Sequence, residues 1–268
     1  MFTLNNNVYT SSVLRLDGVH HAFSTRLGGV STLPHTREMN VAPDHGDPDG
    51  TVRENLGILA AAVGCTADDT VCTHQIHSNL LRYVTASARG EGTDRSPERE
   101  CDGFYTDTPG VALTVRTADC APVLLAGLRD DGTPAVCAVH AGWRGSASGI
   151  CALACAAMVS MGVSASSIRA AIGPCIHFDS FGVGEDMRDS VRLTAGEDFA
   201  RRHIREKDGK LHADICAMNR EFLLISGVAE ENIDISPLCT YSNPDVFHSH
   251  RRTGNMRGAM GNMIAICR

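Results

Sequence analysis

The chain has no apolar run long enough to span a bilayer. Among its longest, Ala121-Pro122-Val123-Leu124-Leu125-Ala126 falls far short of the roughly 20 residues a membrane helix needs. It also lacks the basic start and apolar stretch of a secretory signal, opening instead on Met1-Phe2-Thr3-Leu4-Asn5-Asn6-Asn7. These two absences predict a cytoplasmic protein with no membrane partner. Positive charge is not in excess: Lys and Arg total 24 against 31 acidic residues, a net charge of −7. No basic field draws in a phosphate backbone, so nucleic acid is not an expected partner. Repeats and low-complexity tracts are absent. So are a G-x-x-x-x-G-K-[ST] loop and an H-E-x-x-H helix, and Gly145-Ser146-Ala147-Ser148-Gly149 has alanine where a nucleophile elbow needs serine. P-loop, zincin and serine hydrolase chemistries fall away. Pro174-Cys175-Ile176-His177 begins like the P-C-x-x-C of zinc deaminases but ends in histidine, and no H-x-E precedes it.

What is there is the composition of an ordinary globular protein. The 268 residues are 43% apolar and 21% charged, enough to bury a core without disulfides or structural metals. Eleven cysteines are an odd number and lie scattered, so a reducing compartment should keep them as thiols, most of them small buried hydrophobes. The polar stretch 87–99 reads as an exposed loop, and the charged stretch 201–210, with Asp208-Gly209, has the turn dipeptide of a hairpin or tight loop; both lie between patterned segments.

Alternation and β-rich content predict strands over residues 8–16, 20–25, 69–83, 110–116, 135–140, 168–172, 233–235 and 263–267. Helical spacing of Ile150, Leu153, Ala154, Ala157 and Met161 predicts a helix over 146–161, capped by Ser146 or Ser148. A second helix is expected over 214–226, with Ile215, Met218, Phe222 and Leu223 as its apolar stripe. Strands outnumber helices and the two are mixed, so the fold class is α+β or mixed α/β.

Three segments carry chemically useful residues at or near expected strand ends: Thr73-His74-Gln75-Ile76-His77-Ser78, Thr117-Ala118-Asp119-Cys120-Ala121-Pro122 and Val139-His140-Ala141-Gly142-Trp143-Arg144-Gly145. Brought together, they would offer imidazole, thiolate and imidazole, a set suited to Zn²⁺ with a fourth position left for water. Separations of 43 and 20 residues match no short zinc pattern, so three unrelated strand ends are the alternative. If residues 73–78 form a strand, His74 and His77 point to opposite faces, and His77 shares a face with Gln75. The glycine-rich turn around Arg144, opening a helix, is either an anion seat or a tight turn lidded by Trp143. Arg26, beside Gly28-Gly29, suits a second anion loop or a solvated turn, and Phe247-His248-Ser249-His250-Arg251-Arg252 is a basic run usually found on a surface.

Seven segments in order resemble one family: STRLGGVS at 24–31, HQIHS at 74–78, DGFYTDTPG at 102–110, TADCAPVLL at 117–125, AVHAGWRG at 138–145, IGPCI at 172–176, and CTY followed by FHSHRR within 239–252. This is the purine nucleoside phosphorylase family of YfiH and YlmD, also called polyphenol oxidases or multicopper laccases. The resemblance covers nearly the whole chain and implies one domain, 1–268. It implies mixed β-sheets layered with helices, a fold shared with a toxin's cysteine hydrolase domain. It further implies His77, Cys120 and His140 as zinc ligands, Arg26, Asn40, Gln75 and Arg144 as substrate-binding residues, and Asp119 as a catalytic group, with His74 another possible proton carrier. The activity it implies is phosphorolysis of adenosine, inosine, guanosine and S-methyl-5′-thioadenosine, with deamination of adenosine alongside. Copper finds no support, since His248-Ser249-His250 is the one H-x-H and a copper cluster calls for several histidine pairs. Three alternatives stand beside this reading: a hydrolase with Cys120 as nucleophile and His140 as base, an enzyme editing cell-wall precursors, and a non-catalytic binding module. Monomer and homodimer are equally expected.

Overall fold

Apolar side chains on both faces of the central strands decide the layering. The computed structural model describes residues 1–267; Arg268, the last residue of the expected domain, lies outside the described residues. The chain opens with β1 (Phe2–Asn5), β2 (Val8–Ser11) and β3 (Val19–Ser24), then α1 (Asp49–Ala61) and a short β4 (Thr70–Val71). Its middle supplies β5 (Leu81–Tyr83), β6 (Gly103–Thr106), β7 (Ala112–Thr117), β8 (Ala121–Leu128) and β9 (Pro134–Ala141). Next come α2 (Trp143–Ala147), α3 (Ile150–Ser160), β10 (Arg169–Ile172), α4 (Glu185–Ala195) and α5 (Glu197–His203). The hairpin β11 (Ile204–Lys207) and β12 (Lys210–Ala213), α6 (Ile215–Ile225), β13 (Ile233–Ile235), α7 (His250–Thr253) and β14 (Met260–Ile266) complete the described chain.

Two six-stranded mixed sheets result, ordered β1-β2-β3-β14-β7-β4 and β13-β10-β8-β9-β6-β5. They pack face to face through Phe23, Leu113, Val115 and Ile264 of the first and Phe104, Leu124, Val136 and Ala138 of the second. On the far side of the second sheet, Val123, Leu125, Cys137 and Val139 meet Ile150, Ala154 and Met158 of α3 and Met218, Phe222 and Leu223 of α6. Residues of α1, including Leu59 and Ala60, cover Ala22, Met263 and Ala265 on the outer face of the first sheet. The order is therefore helix, sheet, sheet, helices, an α+β arrangement of layered mixed sheets. With both faces covered, β8 is a continuous apolar run rather than an alternating one. That is why its segment did not stand out as a strand by alternation. No helix among the described residues is long and apolar enough to cross a membrane.

Several expected elements are corrected. The strand at 8–16 ends at Ser11 in a 3-10 turn, and the stretch 69–83 is not one strand but β4 and β5 joined by a loop. The helix at 146–161 starts earlier and is broken: α2 stops at Ala147, and Gly149, at φ +74°, restarts the chain as α3. Neither serine caps it, because Ser146 Oγ donates to Ala141 O and Ser148 Oγ to Arg144 O. The helices α1, α4 and α5 went unpredicted. α4 buries only Met187 and Val191 and α5 is only seven residues long, whereas α1 does bury Val52, Leu56, Leu59 and Ala60 at helical spacing.

Candidate functional site

β7 and β8 lie in different sheets, so the Ala118–Cys120 turn crosses between the layers and carries Cys120 to the seam. His140 stands near the end of β9, paired across the ladder with Pro122 of β8. His77 comes from the loop between β4 and β5. The structure brings one ligand atom from each of His77, Cys120 and His140 within 4.8 Å of one another. His77 Nε2 is 3.6 Å from Cys120 Sγ, and the two imidazoles meet edge to face with centroids 4.8 Å apart.

Parity on a strand is not what selects His77. Residues 73–77 are irregular, and His77 adopts φ +58°. The loop is shaped by Asp102, a carboxylate with no exposed surface. The amide of His77 donates to its Oδ1 at 3.0 Å, and the amide and hydroxyl of Ser78 donate to Oδ2 at 2.6 Å each. His140 Nδ1 lies 2.8 Å from the same Oδ1. One buried carboxylate therefore orients both histidines. Burial alone raises its pKa, but the bonds from His140 and Ser78 outweigh that and hold it below the ordinary value.

The same group settles the histidine chemistry. With Nδ1–H donated to Asp102, neutral His140 keeps Nε2 as its lone-pair nitrogen, the arrangement typical of metal-ligating histidines. Burial works against charge on either Cys120 or His140, yet each stabilises the charged form of the other. The Cys120 thiol is brought down to about 6, and His140, also bonded to Asp102, is raised to about 9. A thiolate flanked by two imidazoles is a fitting donor set for a divalent ion of borderline softness, and the chain can hold a metal ion here.

These three residues form one wall of a cleft of about 850 Å³. Gln75 lines it while its side-chain amide bonds both the N–H and the C=O of Arg116. Arg144 also lines it, stacked over Trp143 at 4.2 Å. The helix opening there, α2, is only five residues long, so the turn offers the Arg144 side chain rather than a helix terminus. Asp119 lines the cleft at φ +93°, with its carboxylate already accepting from Thr240 Oγ1, Ser249 Oγ and the Arg251 amide.

Other expected residues are placed elsewhere. Arg26 gives its guanidinium to the carbonyls of Arg37 and Pro244, and Asn40, fully buried, bonds Ala42, Asp47 and the Ala259 amide; neither lines the cleft. His74 lines the cleft but is largely exposed and pairs with Glu100. The two histidines of the H-x-H part company. His248 is buried against Met39 O, while His250 faces the cleft.

Sequence reasoning missed Asp102 and Arg257. Arg257 lines the cleft, its guanidinium reaching His250 Nδ1 and Gly258 O, and burial pulls its pKa down against the opposing pull of Cys120 and Asp119. Within 4 Å it has no carboxylate partner among the described residues. The basic run read as a surface cluster also reaches the cleft, through Arg251, whereas Arg252 is spent on the carbonyls of Thr240, Tyr241 and Phe247. Nothing in the local spacing marks these residues; folding alone gathers them.

Residues 20–267 match the family described as multi-copper polyphenol oxidoreductase laccase. The chain is 35% identical over 250 residues to a protein of Deinococcus radiodurans named purine nucleoside phosphorylase, covering 93% of this chain and 90% of that one. It is 32% identical over 252 residues to Bacillus subtilis purine nucleoside phosphorylase YlmD, covering 91% and 87%. The crystal structure of the Bacillus licheniformis hypothetical protein YfiH superposes with a TM-score of 0.90 at 28% identity, over 99% of this chain and 98% of that one.

Proposed function

We propose that this chain, which belongs to the multi-copper polyphenol oxidoreductase laccase family, is a zinc-dependent purine nucleoside phosphorylase of the cytoplasm, built as one domain. The observation that carries the reading is the His77, Cys120 and His140 trio on the wall of a cleft that Arg116, Arg144, Arg251 and Arg257 also line. The names of its relatives support the same activity.

In this reading the substrates are adenosine, inosine, guanosine or S-methyl-5′-thioadenosine together with phosphate. A phosphate oxygen attacks the anomeric carbon as the bond to the purine nitrogen breaks, giving ribose 1-phosphate, or its methylthio analogue, and free base. Arg257, half-buried and with no carboxylate within 4 Å among the described residues, is the group best suited to hold the phosphate, because a desolvated guanidinium gains most from an anion. Arg144 and Arg251, at the exposed side of the cleft, draw the anion in and complete its contacts. Gln75 fixes the wall between Arg116 and the His77 loop. Asp119 acts as a positioning residue, its carboxylate tying the Cys120 turn to Thr240, Ser249 and Arg251. Arg26 and Asn40 serve substrate binding through the scaffold, holding the loops behind the cleft. A bound zinc ion would supply Lewis acidity and lower the pKa of a water molecule, the chemistry that deamination of adenosine at C6 requires.

A second reading has its own observation. Cys120, His140 and Asp102 form a thiol, imidazole and carboxylate relay, with the thiol pKa drawn down to about 6, as a cysteine hydrolase needs. Elemental analysis of wild-type and Cys120→Ala protein, followed by product analysis with adenosine with and without phosphate, separates the two. Loss of about one zinc equivalent per chain in the variant, together with loss of phosphate-dependent adenine release, supports the phosphorylase. Metal-free wild-type protein that releases no base from adenosine would favour the hydrolase.

A further inference from the structure

A second cluster of donors lies behind the cleft, in residues the first site does not use. Cys175 follows β10, Cys216 sits in the first turn of α6, and His177 follows Cys175 by two residues. One ligand atom from each falls within 4.8 Å of the other two. The Cys175 and Cys216 sulfurs are 3.0 Å apart. That separation is too long for a disulfide, at about 2.05 Å. It is also shorter than the roughly 3.8 Å between two sulfurs each about 2.3 Å from a tetrahedral zinc, so occupancy would part them by less than about 1 Å. The third donor decides between the two fates. His177 Nε2 is buried and, among the described residues, has no partner at hydrogen-bond distance although the Cys216 thiol is its neighbour, a position that a disulfide between the cysteines would leave unsatisfied and a metal ion would satisfy. Cys239 stands beside the trio, its backbone paired with that of Cys175 in an isolated parallel β-bridge and its sulfur accepting the His177 amide at 3.4 Å.

We propose that Cys175, His177 and Cys216, with Cys239 adjacent as fourth donor, form a structural zinc site behind the cleft, separate from the His77 centre. Three segments far apart in the chain would be stapled there: the turn after β10, the start of α6 and the loop that carries Thr240. The staple acts on the cleft directly. The Thr240 amide bonds Cys175 O and its hydroxyl bonds Asp119, while the Ile176 amide bonds Asp119 O. Cysteine and histidine donors, largely buried and closed off, suit a structural ion rather than a catalytic one, which keeps a position open.

The test uses the full chain loaded with zinc alone and counted by elemental analysis. Wild-type protein should hold about two zinc ions per chain, Cys120→Ala about one, Cys216→Ala about one, and the double variant none. Because Cys216→Ala could fail to fold, His177→Gln provides a milder variant that should weaken the second site at least tenfold and leave the first filled. Cobalt substituted into the Cys120→Ala protein reads the site with no change near it, and an intense thiolate-to-cobalt absorption band is expected. A Cys120→Ala protein that folds yet binds neither zinc nor cobalt would overturn the proposal, whatever activity the wild type shows. So would a Cys175–Cys216 disulfide mapped in wild-type protein purified under reducing conditions.

Discussion

Asp102 Oδ1 accepts both the Nδ1–H of His140, at 2.8 Å, and the backbone amide of His77, at 3.0 Å. One oxygen atom thus fixes the relative position of two side chains from different parts of the fold. Replacing Asp102 with asparagine keeps the size and puts an amide group where a donor already points. Zinc affinity should fall about 10- to 100-fold, the usual cost of losing a partner behind a metal ligand. Competition against a chelator measures this, and an unchanged affinity would show that Asp102 does not orient the ligands.

Gly142 is the second residue on which the geometry leans without being a ligand. Its φ of −66° suits any residue, but an added Cβ would lie 2.5 Å from His77 Cδ2 and 3.2 Å from His140 Cε1. Gly142→Ala should therefore push the imidazoles apart at a cost of about 1–3 kcal/mol, seen as roughly 5- to 150-fold weaker zinc binding. Gly50→Ala, whose Cβ would meet open space in α1, serves as the control and should leave zinc binding unchanged.

Arg257→Gln removes a charge from the cleft and leaves the three donors in place. A charge-assisted hydrogen bond contributes about 1.5–3 kcal/mol, so KM for phosphate should rise about 10- to 150-fold. Zinc content should stay at the wild-type level. Steady-state kinetics with varied phosphate would distinguish this from a general loss of folding, which would lower zinc content as well.

Stability should fall in acid because two buried histidines are held neutral. Burial pulls His21 down to about 4 and His248 to about 3, against 6.5 when unfolded. The unfolded chain then binds more protons, and stability present above about pH 6.5 is lost as pH falls towards 4 for His21 and 3 for His248. The loss is on the order of 1.4 kcal/mol per pH unit for each histidine within its window. Urea unfolding at about pH 7 and about pH 5 checks it. His248→Gln, which can still donate to Met39 O and accept from the Gly258 amide, should flatten the dependence.

Much of the frame was legible because burial leaves a local imprint. The apolar stripe of α6 and the strands β3, β9 and β10 all follow from residue order. Where both faces of an element are covered, as in β8, or only a few residues are, as in α4, the imprint fades and the element is missed. The loop at 72–80 misled for another reason. Its β-branched and histidine residues read as a strand, but its conformation is set by Asp102, 25 residues beyond His77.

By itself, then, the sequence determined the composition of a globular core, the strand-rich mixture of elements, and which residue types were available for chemistry. Tertiary structure decided that His77, Cys120 and His140 meet, that Asp102 orders two of them, and that Arg257 rather than Arg26 reaches the cleft. It also decided that His177 comes to rest beside two thiols. The reason is one of range: periodicity reports which face of a segment is buried, whereas a site depends on distances between segments that only the packed sheets fix.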